Sequence, residues 1–166
     1  MLLSANYQIL APHKLPEGRY IEAAVIQRSW REIRTFFIEV PWPHTTQEYG
    51  DAWSFGLFSE TGFACRLSVF DMMPSATRLW VREGDPRVDD DATDLLLHMG
   101  LGRAEVLFFW KDVGFHPHTL WRQDDNSNEF VVNQYPTKFE AIWAQREYEA
   151  KGHKQTYWVR RASKQA

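Results

Sequence analysis

Between His118 and Arg161 the spacing of apolar positions changes twice, from a period of two to a helical period and back, and turn formers bracket each change. HTLWRQ (His118 to Gln123) and EFVVNQ (Glu129 to Gln134) read as strands, and DDNSN (Asp124 to Asn128) between them makes a hairpin. Thr137 follows Pro136 and has Glu140 three residues on, the pattern of a capping box that starts a helix. Gly152 ends that helix, so it runs from Thr137 to Lys151. QTYWVR then alternates again, with Thr156, Trp158 and Arg160 on one face and Gln155, Tyr157 and Val159 on the other. The stretch is a ββαβ module. Its helix has two apolar sides, Phe139, Ile142, Trp143 and Ala150 on one and Ala141, Ala144 and Tyr148 on the other. Such a helix lies between its own sheet and a second body, either the rest of the chain or a partner.

The preceding residues predict more strands than helices. Residues 1–18 carry Pro12, Pro16 and Gly18 and read as an irregular or single-strand lead-in. Arg19 to Val40 holds no Gly or Pro and could be one long helix, but its branched and aromatic content favours two strands, YIEAAVIQ and EIRTFFIEV, paired across QRSWRE. PWPHTTQEYGD is a long loop of the kind that covers a groove or carries function. WSFGLFS and FACRLSVF form a hairpin around ETG, with Phe63, Cys65, Leu67 and Val69 on one face, and TRLWVRE extends it as a meander. DATDLLLHM is a short helix with aspartates in its first turn, where the dipole favours them. Val106 to Trp110, five apolar residues in a row, fits a buried strand or a buried helix about equally, and the strand is preferred. The expected class is therefore α+β, a mostly antiparallel sheet over residues 1–117 with the ββαβ module of 118–166 packed on it.

RQDDNSNEFVV followed by GHKQTYWV resembles a group of short uncharacterised bacterial proteins that carry D-D-N-G-N and H-K-Q-T-Y-W at the two ends of a ββαβ module. Ser127 stands where that pattern has glycine. The arrangement is also distantly similar to the SPOR modules that bind peptidoglycan. The likeness covers the last 45 or so residues; it implies the fold of that module and supplies no catalytic residue.

Composition changes this picture at two points. Eight Trp and eleven Phe are a heavy aromatic load for 166 residues, so some rings are expected on the surface as an interface. The net charge of −3 hides an asymmetry: from Lys138 onward seven Lys or Arg face three Asp or Glu, a net +4, which leaves the residues before it at −7. A basic tail thus complements an acidic body. One cysteine allows no internal disulfide, and the first residues lack a basic start followed by a long apolar run, which predicts a reducing, cytoplasmic setting.

Candidate chemistry is thin. Asp85, Asp89, Asp90, Asp91 and Asp94 form the densest carboxylate cluster, and His116 and His118 flank one proline, so Asp90, Asp91, Asp94, His116 and His118 are the residues that a hard or transition metal would use. Capping of the following helix accounts for most of the acids, and the spacing matches no calcium loop or zinc motif. His98 beside three leucines reads as a core histidine, and mid-strand Cys65 as a buried thiol. Phosphate-loop, dinucleotide and nucleophile-elbow motifs are absent, no cofactor is implied, and nothing commits the chain to catalysis.

The function expected from these residues is binding: a non-catalytic adaptor or subunit of a protein assembly, with Trp42, Trp143, Tyr148 and Trp158 at the contact with a partner or a second copy. One rival is a nucleic-acid accessory protein, in which Arg146, Lys151, Lys154, Arg160 and Arg161 hold phosphates while neighbouring aromatics stack bases. Against it, the sequence pI is about 6.1. A second rival is a small metal-assisted hydrolase built on the acidic cluster and the two histidines.

Overall fold

A computed structural model describes residues 7–37, 52–70, 73–108, 113–152 and 154–163. Six strands form the larger sheet: β1 (Tyr7–Leu10), β2 (Tyr20–Ile26), β3 (Ala52–Ser59), β4 (Ala64–Phe70), β5 (Thr77–Arg82) and β6 (Val106–Phe108). Their order is β1-β3-β4-β5-β2-β6, and every pair is antiparallel. The centre is the expected meander β3–β4–β5. Its alternation is what builds the core: Phe55, Leu57, Cys65, Leu67, Leu79 and Val81 share one face and are buried to 1% exposure or less. The fold is α+β, as the periodicities predict.

The chain enters this sheet by an unexpected route. β1 pairs with β3 and β2 pairs with β5, so the segment between them crosses over the meander. Pro12–Lys14 forms a single 3-10 turn in this strap, and Leu15 then lies directly over Gly56. A Cβ at residue 56 would sit 2.6 Å from two Leu15 carbons, so glycine is what allows the strap to approach the strand.

Of the two strands expected over Arg19 to Val40, the first forms as β2, but the start of the second is helical. The chain leaves β2 at Ile26 and winds into α1 (Trp30–Arg34). Ser29 accepts from the Glu32 amide, and the Glu32 carboxylate accepts from the Ser29 amide at 2.8 Å, a reciprocal cap that outweighs the branched and aromatic residues downstream. Trp30 and Ile33 are buried as a result, with Trp30 5.1 Å from Phe55 between ring centroids. Ile38 to Val40 and the PWPH loop lie outside the described residues.

After β5, the acidic stretch folds as a π-helical turn over Val88–Ala92 that runs into α2 (Thr93–His98). Leu95 and Leu96 are fully buried, but His98 is exposed on the last turn, its Nδ1 2.7 Å from the Asp94 carbonyl; it is not the core histidine its leucine neighbours suggest. The run from Val106 begins as an edge strand rather than a buried one: among the described residues β6 pairs with β2 alone and leaves Leu107 53% exposed. Phe109 and Trp110 lie outside the described residues.

A second sheet of three strands has the order β8-β7-β9, from β7 (His118–Gln123), β8 (Glu129–Tyr135) and β9 (Thr156–Arg161). α3 (Lys138–Glu149) joins β8 to β9 and starts at Thr137, whose Oγ1 accepts from the Glu140 amide at 3.2 Å. Glu140 does not reach back to the Thr137 amide; the Thr137 hydroxyl donates to its carboxylate at 3.1 Å instead. Gly152 takes a positive φ of 72° just past the helix, as a C-terminal stop requires.

The two apolar sides of α3 have two different partners. Ala141 and Ala144 pack with Leu120, Tyr135 and Tyr157 of their own sheet, and Tyr148 joins that cluster. Phe139 is fully buried in the larger core, 5.6 Å from Phe108, and Trp143 packs against the same core. The second body is thus the chain's own first sheet. Burial of one such phenylalanine is worth about 2–3 kcal/mol. Charged pairs seam the joint, Lys138 with Asp90 and Arg103 with Glu140, while the Arg103 guanidinium stands 5.5 Å from the Tyr135 ring centroid.

Candidate functional site

Among the described residues the small sheet is covered by α3 on one face only, and the composition of its other face follows from register. Trp121 pairs with Val131 on one side and Trp158 on the other; the rows before and after it are Thr119–Gln134–Arg160 and Gln123–Glu129–Thr156. A β-bulge between Leu120 and Trp121 sets this row, because it shifts the β8 pairing by one residue and so brings Val131 beside Trp121. Three apolar side chains therefore stand in line across the open face. The Arg160 guanidinium lies 5.2 Å from the Trp158 ring centroid and 5.7 Å from that of Trp121, and is held from the far side by Glu129 at 3.5 Å.

β8 is also an edge, and it is apolar on both faces. Val131 is 57% exposed on the tryptophan side; Phe130 is 42% exposed on the other, with the Arg122 guanidinium 5.3 Å from its ring. Adjacent exposed apolar residues on a seven-residue edge strand are an uncommon combination in a protein that works alone.

The residues singled out from sequence are distributed unevenly. Trp158 lies on this open face. Trp143 is half-buried against the larger core, with Arg146 5.2 Å above its ring, and Tyr148 is stacked on Tyr157 at 5.4 Å with Lys151 over it; both rings pack within the molecule. Trp42 lies outside the described residues. The basic residues do not form one track: Arg146 and Lys151 belong to the helix side, and Arg161 shares a row with His118 and Tyr135, away from Arg160. Lys154 lines a polar cleft with Asp124, Asp125, Asn126 and Gln155.

The acidic cluster is dispersed by the fold. Asp85 is buried beneath two arginines: its oxygens accept from Arg87 Nε and Nη2, both at 2.8 Å, from the Arg87 amide, and from Arg82 at 3.4 Å. Burial alone raises its pKa, but these donors prevail and hold it below the ordinary aspartate value. Asp90 pairs with Lys138, Asp91 accepts from the Thr61 hydroxyl at 2.6 Å, and Asp94 is exposed on α2. Asp89 turns inward instead and meets His118. Among the described residues no three of His, Cys, Asp and Glu converge as a metal would need. His116 and His118 do cooperate, through the backbone: the His116 amide donates to Asp89 at 3.4 Å, and its carbonyl lies 2.9 Å from His118 Nδ1.

Sequence patterning does not single out Trp121, Phe130 or Val131. Period-two alternation shows that Trp121 faces away from Leu120, but only the β8-β7-β9 order puts it between Val131 and Trp158. Cys65 is fully buried, and burial pushes its thiol far above the usual range, as befits an inert structural cysteine. Compared with protein-family models, curated proteins and solved structures, the chain matches none.

Proposed function

We propose that the protein is a non-catalytic binding subunit of a cytoplasmic assembly, which holds a protein partner on the open face and outer edge of the β8-β7-β9 sheet. The row Val131–Trp121–Trp158 carries this reading, since it is an apolar strip with one capping arginine that is continuous with an unpaired strand edge. Aromatic anchors with a nearby arginine supply the large, low-entropy contact area of an interface hot spot. An added strand along β8 would contribute main-chain hydrogen bonds in the same docking. Among the described residues no helix is long and apolar enough to cross a membrane. The test is a photo-crosslinking residue placed at Val131 in cells, with Glu17, exposed on the strap, as control site. A discrete adduct from position 131 alone, abolished by Trp121→Ala, is expected; equal crosslinking from both positions, or none, removes the reading.

One observation favours a second reading, contact with single-stranded nucleic acid. Arg160 over two tryptophans is a guanidinium beside two stacking platforms. Because Arg161 faces the other side, Arg160→Gln should weaken oligonucleotide binding at low salt and reduce the salt slope by about one ion, whereas Arg161→Gln should not. Absence of measurable binding by the wild type ends this alternative.

A further inference from the structure

Strand pairing in the small sheet brings together two segments that stand far apart in the sequence. Gln123 pairs with Thr156, so the turn of residues 124–128 and the residues that lead into β9 lie side by side at one end of the sheet. A cleft of about 300 Å³ opens there, lined by Asp124, Asp125 and Asn126 from the turn and by Lys154 and Gln155 from the approach to β9. Two of these side chains are held in place by the protein itself. Asp124 accepts from the Asn126 and Asn128 amides, both at 2.9 Å, and its Oδ2 from the Asn128 side chain at 3.1 Å. These bonds, the Asn128 side chain first, keep its pKa below the ordinary aspartate value, so it stays ionised, with room at Oδ2 for one more donor. Gln155 Oε1 accepts from Arg122 at 3.3 Å and from the Tyr157 hydroxyl at 3.0 Å. Arginine can only donate, so the amide oxygen must be the atom turned to it, and Nε2 is left as a donor. Asp125 and Lys154 are both exposed and within reach of a ligand.

The two walls differ in kind. The turn contributes two carboxylates and an amide, the approach to β9 an ammonium and an amide donor. Each simple class of ligand is opposed by one of them: an anion such as phosphate meets Asp124 and Asp125, and a bare metal cation meets Lys154. An apolar molecule finds no apolar side chain among the five that line the cleft. A molecule with separated charges of both signs suits both walls. We propose that the cleft binds a small polar α-amino acid as its zwitterion, the ammonium against Asp124 and Asp125 and the carboxylate against Lys154 and Gln155. Charge-assisted hydrogen bonds then form at both ends of the ligand. Asp124 and Gln155, already fixed by their own partners, need no reordering to make them. The volume stands at the low end for small-molecule sites and suits a short side chain. The site is separate from the Val131–Trp121–Trp158 row and does not depend on the partner surface.

The experiment titrates the full-length protein with L-serine and follows the backbone amide resonances by NMR. A ligand of this size should bind with a Kd on the order of 1 mM and shift the amides of residues 124–126 and 154–155 in a saturable way. Serinamide lacks the carboxylate and N-acetyl-L-serine lacks the ammonium, so each should bind at least about fivefold more weakly. Asp125→Asn and Lys154→Gln change exposed side chains and leave the core untouched. Each should weaken serine binding roughly threefold to tenfold. Asp125→Asn should leave the weak binding of N-acetyl-L-serine as it is, and Lys154→Gln that of serinamide, because each control already lacks the group which that residue holds. No shift localised to the cleft up to about 50 mM serine, some fifty times the expected Kd, overturns the proposal. So does binding of either control as tight as that of serine, or serine binding undiminished in both variants.

Discussion

His118 Nε2 faces Asp89 Oδ2 at 3.8 Å across the seam between the two sheets, and both side chains are almost wholly removed from solvent. The other ring nitrogen, Nδ1, meets a carbonyl oxygen and so must carry its proton there. A neutral ring would then turn a bare lone pair toward the carboxylate, so the contact is favourable only when the pair holds one further proton.

Burial, opposed by His118 and the His116 amide, raises the pKa of Asp89 above its ordinary 3.8. The folded state thus binds this proton more tightly than the unfolded chain does, and the sign follows: stability from this site is full below pH 3.8 and declines as pH rises through the folded value. Asp89→Asn should remove that decline, which amounts to about 1.4 kcal/mol for every tenfold by which folding tightens the hold on the proton. Denaturant unfolding of both proteins from pH 4 to 7 checks it; wild-type and variant curves that stay parallel would refute the assignment.

Asp85 behaves in the opposite sense. Its folded pKa is lowered, so its stabilisation is present above pH 3.8 and lost as pH falls through the folded value. Asp85→Asn should cost about 2–3 kcal/mol at pH 7, because Arg87 and Arg82 lose their shared anion. The deficit should shrink in acid, which urea titrations at pH 7 and pH 3 will show.

Gly56→Ala forces a methyl group into Leu15 and should destabilise by about 1–3 kcal/mol. Leu15→Ala should relieve most of that cost in the double variant, although it is itself destabilising. A double-mutant cycle with no coupling would mean that the strap does not rest on the strand.

Ser127 has a φ of 64°, in the left-handed region, at the tip of the β7–β8 turn. The turn tolerates it because Asp124 Oδ1 accepts from the Asn126 and Asn128 amides, both at 2.9 Å. Ser127→Gly should stabilise by about 0.5–1 kcal/mol, read as a rise in Tm without change in the spectrum of the fold. An unchanged or lower Tm counts against strain at this position.

The elements most legible in the sequence are those whose pattern is local. β7, β8, α3 and β9 follow from alternation, Thr137 and Gly152, each settled within a few residues. α1 is readable too, as Ser29-x-x-Glu32, but the branched run after it outweighs the cap when strands are predicted from residue type. Pairing order lies beyond reach. Nothing near Tyr7 says that it pairs with Ser59, and nothing near Asp89 says that it turns away from its neighbouring aspartates toward His118, because both depend on residues far along the chain. The same holds for the open face, where Trp121, Val131 and Trp158 come together only through a bulge and the central place of β7.

The strap over Gly56 bears on the order in which the chain can assemble. Tyr7 to Ile26 leaves the ribosome before the residues that receive it, since β1 is completed by Ala52–Ser59 and β2 by Thr77–Arg82 and Val106–Phe108. Four strand spacings separate β1 from β2, roughly 19 Å, and the segment from Ala11 to Arg19, which reaches at most about 30 Å, spans them. The meander β3–β4–β5 is built from sequence neighbours and can close early; the first strands made must then be laid across it. In this half of the molecule the order of synthesis and the order of assembly run in opposite directions.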